Sequence, residues 1–264
     1  MLARARVVVI ASAATLVFAF ACDAVAQSVA ATAGADQQNL AAQLTSGTEE
    51  QRAAAAVAVL RIPVEQRGAS LLDALIVEAE RLKRDLDERG AALAAGRPIA
   101  PARDEGEHLF NVLEALCQSK DPRVIHSLAS LMHGNRVLNA LVKFGELAAP
   151  DVMSVAEAST SSPTEVDSAL IVLRRMLEQP GDHPLSESSK ARIAQIAARR
   201  LSGTQQSTVV SSAIGLAATT HDSELLRRVQ ELARDEANIR ALGIADEQQV
   251  SRLQKIAQDA AVSR

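Results

Sequence analysis

Apolar residues recur along this chain at spacings of three and four, and one spelling returns four times, Val-x-x-Ala-Leu/Ile. It stands at Val112-Leu-Glu-Ala115-Leu116, Val137-Leu-Asn-Ala140-Leu141, Val166-Asp-Ser-Ala169-Leu170 and Val210-Ser-Ser-Ala213-Ile214. Positions i, i+3 and i+4 share one face of a helix, so each copy predicts a helix with a narrow buried stripe. A turn and a second amphipathic stretch follow each copy. That is the pattern of stacked helical hairpins rather than of a single globular core.

The first hairpin pairs 107–119 with 122–134, where Asp121-Pro122 supplies an N-cap and a proline at the first helical position. The second pairs 135–147 with 150–158, the third 164–178 with 187–201, and the fourth 205–219 with 223–235. In three of them the first large apolar residue of the second helix falls 12 to 15 positions after the motif valine, at Val124, Val152 and Leu225. Gln179-Pro-Gly-Asp-His-Pro184 interrupts the third and pushes Ile193 further out. A last amphipathic helix, 245–261, places Val250, Leu253, Ile256, Ala257 and Ala260 on one side.

Upstream, a helix is expected over 38–44. Thr48-Glu-Glu-Gln51 then reads as a capping box opening a helix over 49–61, which Ile62-Pro63 ends. A longer helix, 66–89, carries Leu72, Leu75, Ala79, Leu82 and Leu86 as a coiled-coil-like seam, with Leu93 in the same series. Glu78, Glu80, Arg81, Lys83, Arg84, Asp85, Asp87 and Glu88 are expected to form its solvated face. The seam serves either a core-facing helix or one projecting toward a partner. The expected organisation is a signal peptide 1–26, a disordered leader 27–37, N-terminal helices with one divergent repeat 38–89, a Pro/Gly linker 90–106, a repeat array 107–243 and a capping helix 244–264. The expected fold class is all-α, an α-solenoid of stacked antiparallel helical hairpins.

The stretches Asp121-Pro-Arg-Val-Ile-His-Ser-Leu-Ala-Ser-Leu131 and Asn139-Ala-Leu-Val-Lys-Phe-Gly-Glu-Leu-Ala-Ala-Pro-Asp-Val152 resemble HEAT-like repeats, particularly the short type named after phycobilisome lyases. Thr48 to Ile76 resembles a more divergent unit. The likeness covers most of 48–235, and motif spacings of 25, 29 and 44 residues depart from a strict period. The resemblance implies an α-solenoid and a protein-binding role. It does not imply bilin chemistry.

The N-terminus changes the setting. Arg4 and Arg6, the apolar run Val7 to Ala21 and the small-x-small Ala24-Val25-Ala26 read as a secretory signal cleaved after Ala26. The run is short for a membrane span. A periplasmic or secreted protein is expected, with no membrane span after cleavage. Lipidation at Cys22 is the alternative and would make the chain a lipid-anchored structural factor of the envelope, although Ala19-Phe20-Ala21 lacks the usual aliphatic residue before the cysteine.

Net charge is −4 with the signs interspersed, which disfavours nucleic acid as a partner. There is no Trp or Tyr, and of the four Phe only Phe110 and Phe144 follow the signal. Aromatic-walled ligand pockets therefore have little to be built from. Phosphate-loop, nucleophile-elbow and His-Glu-x-x-His patterns do not occur. A metal site from His108, His126 and His133 is conceivable. However, helical ligand pairs favour i,i+4 spacing, so surface or partly buried histidines are expected instead. Cys117 reads as a buried structural thiol. Of the doubled arginines, Arg174-Arg175 falls on a first helix, whereas Arg199-Arg200 and Arg227-Arg228 fall on second helices. Arg199, Arg227, Arg228 and His126 are the candidate partner-binding residues. The expectation is a non-enzymatic scaffold for another protein, with no cofactor implied and no oligomeric state.

Overall fold

The computed structural model describes residues 34–97, 105–132 and 134–262. The expected signal peptide with Cys22, residues 27–33 of the expected leader, His133 and residues 98–104 of the expected linker lie outside the described residues. Every regular element among those described is helical.

Helix α1 spans 34–46, so the last residues of the expected leader are helical. The Gln37 amide accounts for this. It donates to Gln66 O at 2.8 Å and accepts from Gly68 N at 2.7 Å, which ties α1 to the turn ahead of α3. Helix α2 (Glu49–Leu60) opens with the capping box, Gln51 N donating to Thr48 Oγ1 and Thr48 N to Gln51 Oε1. After a 3₁₀ turn at Val64–Gln66, α3 runs from Ala69 to Ala94. It passes through Gly90 and takes the first residues of the expected linker, because Ala91-Ala92-Leu93-Ala94 are strong helix formers that outweigh one glycine. Helix α4 (Glu105–Cys117) takes the linker's last two residues.

Packing divides the chain into two compact units, and the division runs through α3 and α4 themselves. One unit holds α1, α2, α3 as far as Glu78 and α4 as far as Val112. The other holds α3 from Ala79, α4 from Leu113 and everything after. The first has Leu44, Ala55, Ala56, Val59, Leu71 and Leu75 in its core.

In the second unit the remaining helices are α5 (Ile125–Ser130), α6 (Gly134–Phe144), α7 (Ala149–Glu157), α8 (Pro163–Glu178), α9 (Glu187–Arg200), α10 (Ser207–Thr219), α11 (Ser223–Arg234), α12 (Glu236–Arg240) and α13 (Glu247–Val262). The helix expected over 122–134 arrives as a 3₁₀ turn, Pro122–Val124, followed by the short α5. All twelve motif residues, three from each of α4, α6, α8 and α10, are buried. Full burial of each large aliphatic side chain contributes about 1.5–3 kcal/mol.

From α5 to α9, each helix in this unit packs on the helix two places further along the chain, while α10 packs on α13. One rank runs α6, α8, α10 and then α13, and a second runs α5, α7, α9 and α11. Between ranks the closest neighbours in sequence include α7 with α8 and α9 with α10. A motif helix thus packs closely on the helix before it, not only on its expected hairpin partner after it. For α8 the interruption accounts for this, since it separates α8 from α9 along the chain, whereas α10 packs on both α9 and α11.

That interruption is a clasp. Asp182 N donates to Lys143 O (3.1 Å), and Glu146 N, in the α6–α7 turn, donates to His183 O (2.8 Å). Two glycines make the approach possible. A Cβ on Gly181 would lie 2.4 Å from Val142 O, and one on Gly145, whose φ is +51°, would lie 1.9 Å from His183 O. The Glu146 carboxylate completes the clasp by accepting from Ser186 N and Oγ (both 2.9 Å) and from Ser189 Oγ (2.8 Å) at the start of α9. The Ser186 backbone N–H first, and the two hydroxyls with it, hold this carboxyl below the usual glutamate range.

Candidate functional site

Three of the four candidate residues come together. Arg199 from α9 and Arg227 and Arg228 from α11 line one groove of about 600 Å³, with Ala191, Ala194 and Ala198 on the α9 side. Helix ends set the positions of these arginines. Arg199 and Arg200 occupy the last turn of α9, where cations complement the dipole. Helix α11 is capped by Asp222, whose carboxylate accepts from Glu224 N (2.9 Å) and Leu225 N (3.0 Å), after His221 turns the chain at φ 59°.

Each arginine is paired, but unequally. Glu157 of α7 carries two guanidiniums. Arg192 donates from Nε (3.3 Å) and Nη2 (2.5 Å), and Arg199 from Nη2 alone (2.5 Å). Glu231 likewise takes Arg227 Nη1 (2.5 Å) and Arg228 Nη1 (3.2 Å). Arg228 also reaches Leu201 O at 3.4 Å. Arg199 and Arg227 remain 60% and 65% exposed. Arg199 also lines a smaller groove of about 270 Å³ beside Ala156 and Glu157, so it stands on the ridge between the two. Arg200 plays a different part. It turns inward, donates to Ala156 O at the end of α7 and to Gln205 Oε1 (3.3 Å), and desolvation lowers its pKa.

His126 is not in the groove. It sits on α5, 78% exposed, with Nδ1 2.9 Å from Asp151 Oδ1 of α7. Arg175, on the other rank, hydrogen-bonds Asn139 Oδ1 (2.9 Å) and Asn135 Oδ1 (3.3 Å) instead of a carboxylate.

Two expectations are corrected in the first unit. Glu78, expected on a solvated face, is 1% exposed, and His108, expected at the surface or partly buried, is 5% exposed. His108 Nε2 lies 2.6 Å from Glu78 Oε1, and Arg52 Nε approaches the same oxygen at 3.5 Å. Arg52 also donates from Nη1 to Gly47 O (2.6 Å). One carboxylate therefore ties α2, α3 and α4 together, while His108 Nδ1 has no hydrogen-bond partner. His108 and His126 engage separate carboxylates in separate units. No group of three or more His, Cys, Asp or Glu placed to hold a metal ion occurs among the described residues.

Cys117 is half-buried rather than fully buried, and burial, aided by Glu114, pushes its thiol up to about 11. At neutral pH it is a protonated thiol and a poor nucleophile. No helix among the described residues is long and apolar enough to cross a membrane.

Sequence reasoning missed Glu157, Arg192 and Glu231. The spacing of Arg227 and Glu231, i and i+4 on one helix, was a readable signal. The Glu157 pairs, 35 and 42 residues apart, had none. Comparison with protein-family models, with curated proteins and with solved structures finds no match.

Proposed function

We propose that this protein is an exported, non-enzymatic α-solenoid of HEAT-like stacked hairpins that binds another protein across the rank α5, α7, α9 and α11. The observation that carries the reading is the groove between α9 and α11, lined by exposed arginines from both helices and by small side chains of α9. Packing of α5 to α9 on the helix two places along supports the repeat architecture, because quasi-one-dimensional stacks bury their cores this way. The expected export signal, with Arg4 and Arg6 ahead of the apolar run Val7 to Ala21 and Ala24-Val25-Ala26 after it, supports a binding event in the periplasm or outside the cell. Mechanistically, one face of each helix is spent on its neighbours, and the outward face of the second rank is left to select a partner.

The test is affinity capture from the envelope fraction with wild type and with Arg199→Glu/Arg227→Glu. The expected result is a named partner captured by wild type and weakened by the variant, with the circular-dichroism spectrum unchanged. Equal capture by both forms would reject this surface.

A further inference from the structure

We infer that the α9–α11 groove takes an acidic segment of the partner, with carboxylate side chains bridging Arg199 and Arg227 across the groove. This deepens the scaffold reading and rests on it. Four guanidiniums on this face, those of Arg192, Arg199, Arg227 and Arg228, are hydrogen-bonded to two carboxylates, Glu157 and Glu231, and Arg227 Nη2 also approaches Glu224 Oε1 at 3.8 Å. Within each pair the exposed groove residue holds its carboxylate by a single hydrogen bond, Arg199 through Nη2 and Arg227 through Nη1. A guanidinium has five N–H donors in a planar fork that matches a carboxylate in two-point fashion. Both residues therefore present unused donors to solvent, one from each wall. Of the carboxylates that line the same groove, Asp222 caps α11 and Glu224 lies in its first turn, 3.8 Å from Arg227 Nη2 and too far for a hydrogen bond; the helix dipole compensates both. On the α9 wall, the small side chains of Ala191, Ala194 and Ala198 leave room for the backbone of an incoming segment.

The occupant is thus a helix or strand with small side chains toward α9 and Asp or Glu at its edges. Arg199, on the ridge between two grooves, lets the same segment continue toward α7. Because both arginines are exposed, the attraction is screened by salt and each pair contributes modestly.

The probe is a short alanine-rich helical peptide with glutamates along one face, compared with its glutamine isostere by fluorescence anisotropy on the full mature chain. The expected result is about ten-fold tighter binding of the glutamate peptide, shrinking as salt rises from about 0.05 to about 0.3 M. Arg199→Gln and Arg227→Gln should each reduce the preference, and the double variant should abolish it at unchanged helicity. Arg199→Lys/Arg227→Lys should keep part of it, since charge remains while the fork is lost. Equal affinity for the two peptides, or a preference that survives the double glutamine variant, overturns the inference. So does arginine-dependent binding to phosphatidylglycerol vesicles without any preference between the peptides. If the peptide preference is absent while a partner is still captured from the envelope, the groove assignment falls and the scaffold reading stands. A preference that holds in a chain with no protein partner sinks the scaffold reading instead.

Discussion

Replacing Glu78 with Leu should destabilise the protein by about 3–5 kcal/mol, because it leaves His108 and Arg52 without the carboxylate that they share. The expectation follows from burial. At 1% exposure the carboxylate is out of water, and its 2.6 Å contact with His108 Nε2 lies in surroundings where no solvent can substitute. The imidazole already has one ring nitrogen unpartnered, so removing Glu78 orphans the other. Each buried polar group left without a partner costs about 1–3 kcal/mol. Arg52 suffers less, since it is partly exposed and keeps its bond to Gly47 O. The double variant Glu78→Leu/His108→Leu removes both buried polar groups and should recover much of the loss. It should lie about 2 kcal/mol or more above the sum of the single effects. Urea unfolding followed by far-ultraviolet circular dichroism is the assay, since a chain with no Trp and no Tyr gives little intrinsic fluorescence change. A cost below about 1 kcal/mol for Glu78→Leu, or additivity of the two substitutions within about 0.5 kcal/mol, would refute the reasoning.

Three further outcomes are expected. Gly145→Ala should cost about 2 kcal/mol or more, from a left-handed φ and a carbonyl oxygen where the Cβ must go, and should speed amide exchange at Glu146 and Asp182. The Glu146 carboxyl is depressed in the folded state, so its stabilising contribution is present above the unfolded value, about pH 4.3, and is lost as pH falls through the folded one. Glu146→Gln should accordingly flatten the stability profile below about pH 4.3, and an unchanged acid slope would contradict the clasp. Cys117 should react with iodoacetamide at pH 8 far more slowly in the folded chain than in urea, and equal rates would mean that its thiol is neither shielded nor raised.

The helices were legible because their signals are local. A valine with Ala three places on and Leu or Ile four places on defines a stripe whatever surrounds it, and Thr48 with Gln51 closes a box within one turn. Ser162-Pro-Thr-Glu165 carries the same box at the start of α8 and was readable on the same terms. Glu78 was misplaced by its charge. Its position, between Leu75 and Leu82 at spacings of three and four, puts it on the buried stripe, and periodicity outranks residue type when a partner such as His108 is available. The groove was only half legible. Doubled arginines can be seen in the sequence, but which carboxylates hold them depends on packing across α7, α9 and α11.

The clasp between α8 and α9 has a consequence for how this chain can change. Helical arrays are commonly lengthened or shortened by copying or deleting a unit, because each unit depends only on its neighbours' generic faces. Here the seat of the clasp, Gly145 with Glu146, lies in the turn between α6 and α7, while the segment that occupies it lies beyond α8. A cut anywhere between them separates a lock from its key. Recombination or design that treats the motif helices as interchangeable cassettes must therefore carry residues 142 to 189 as one inherited block.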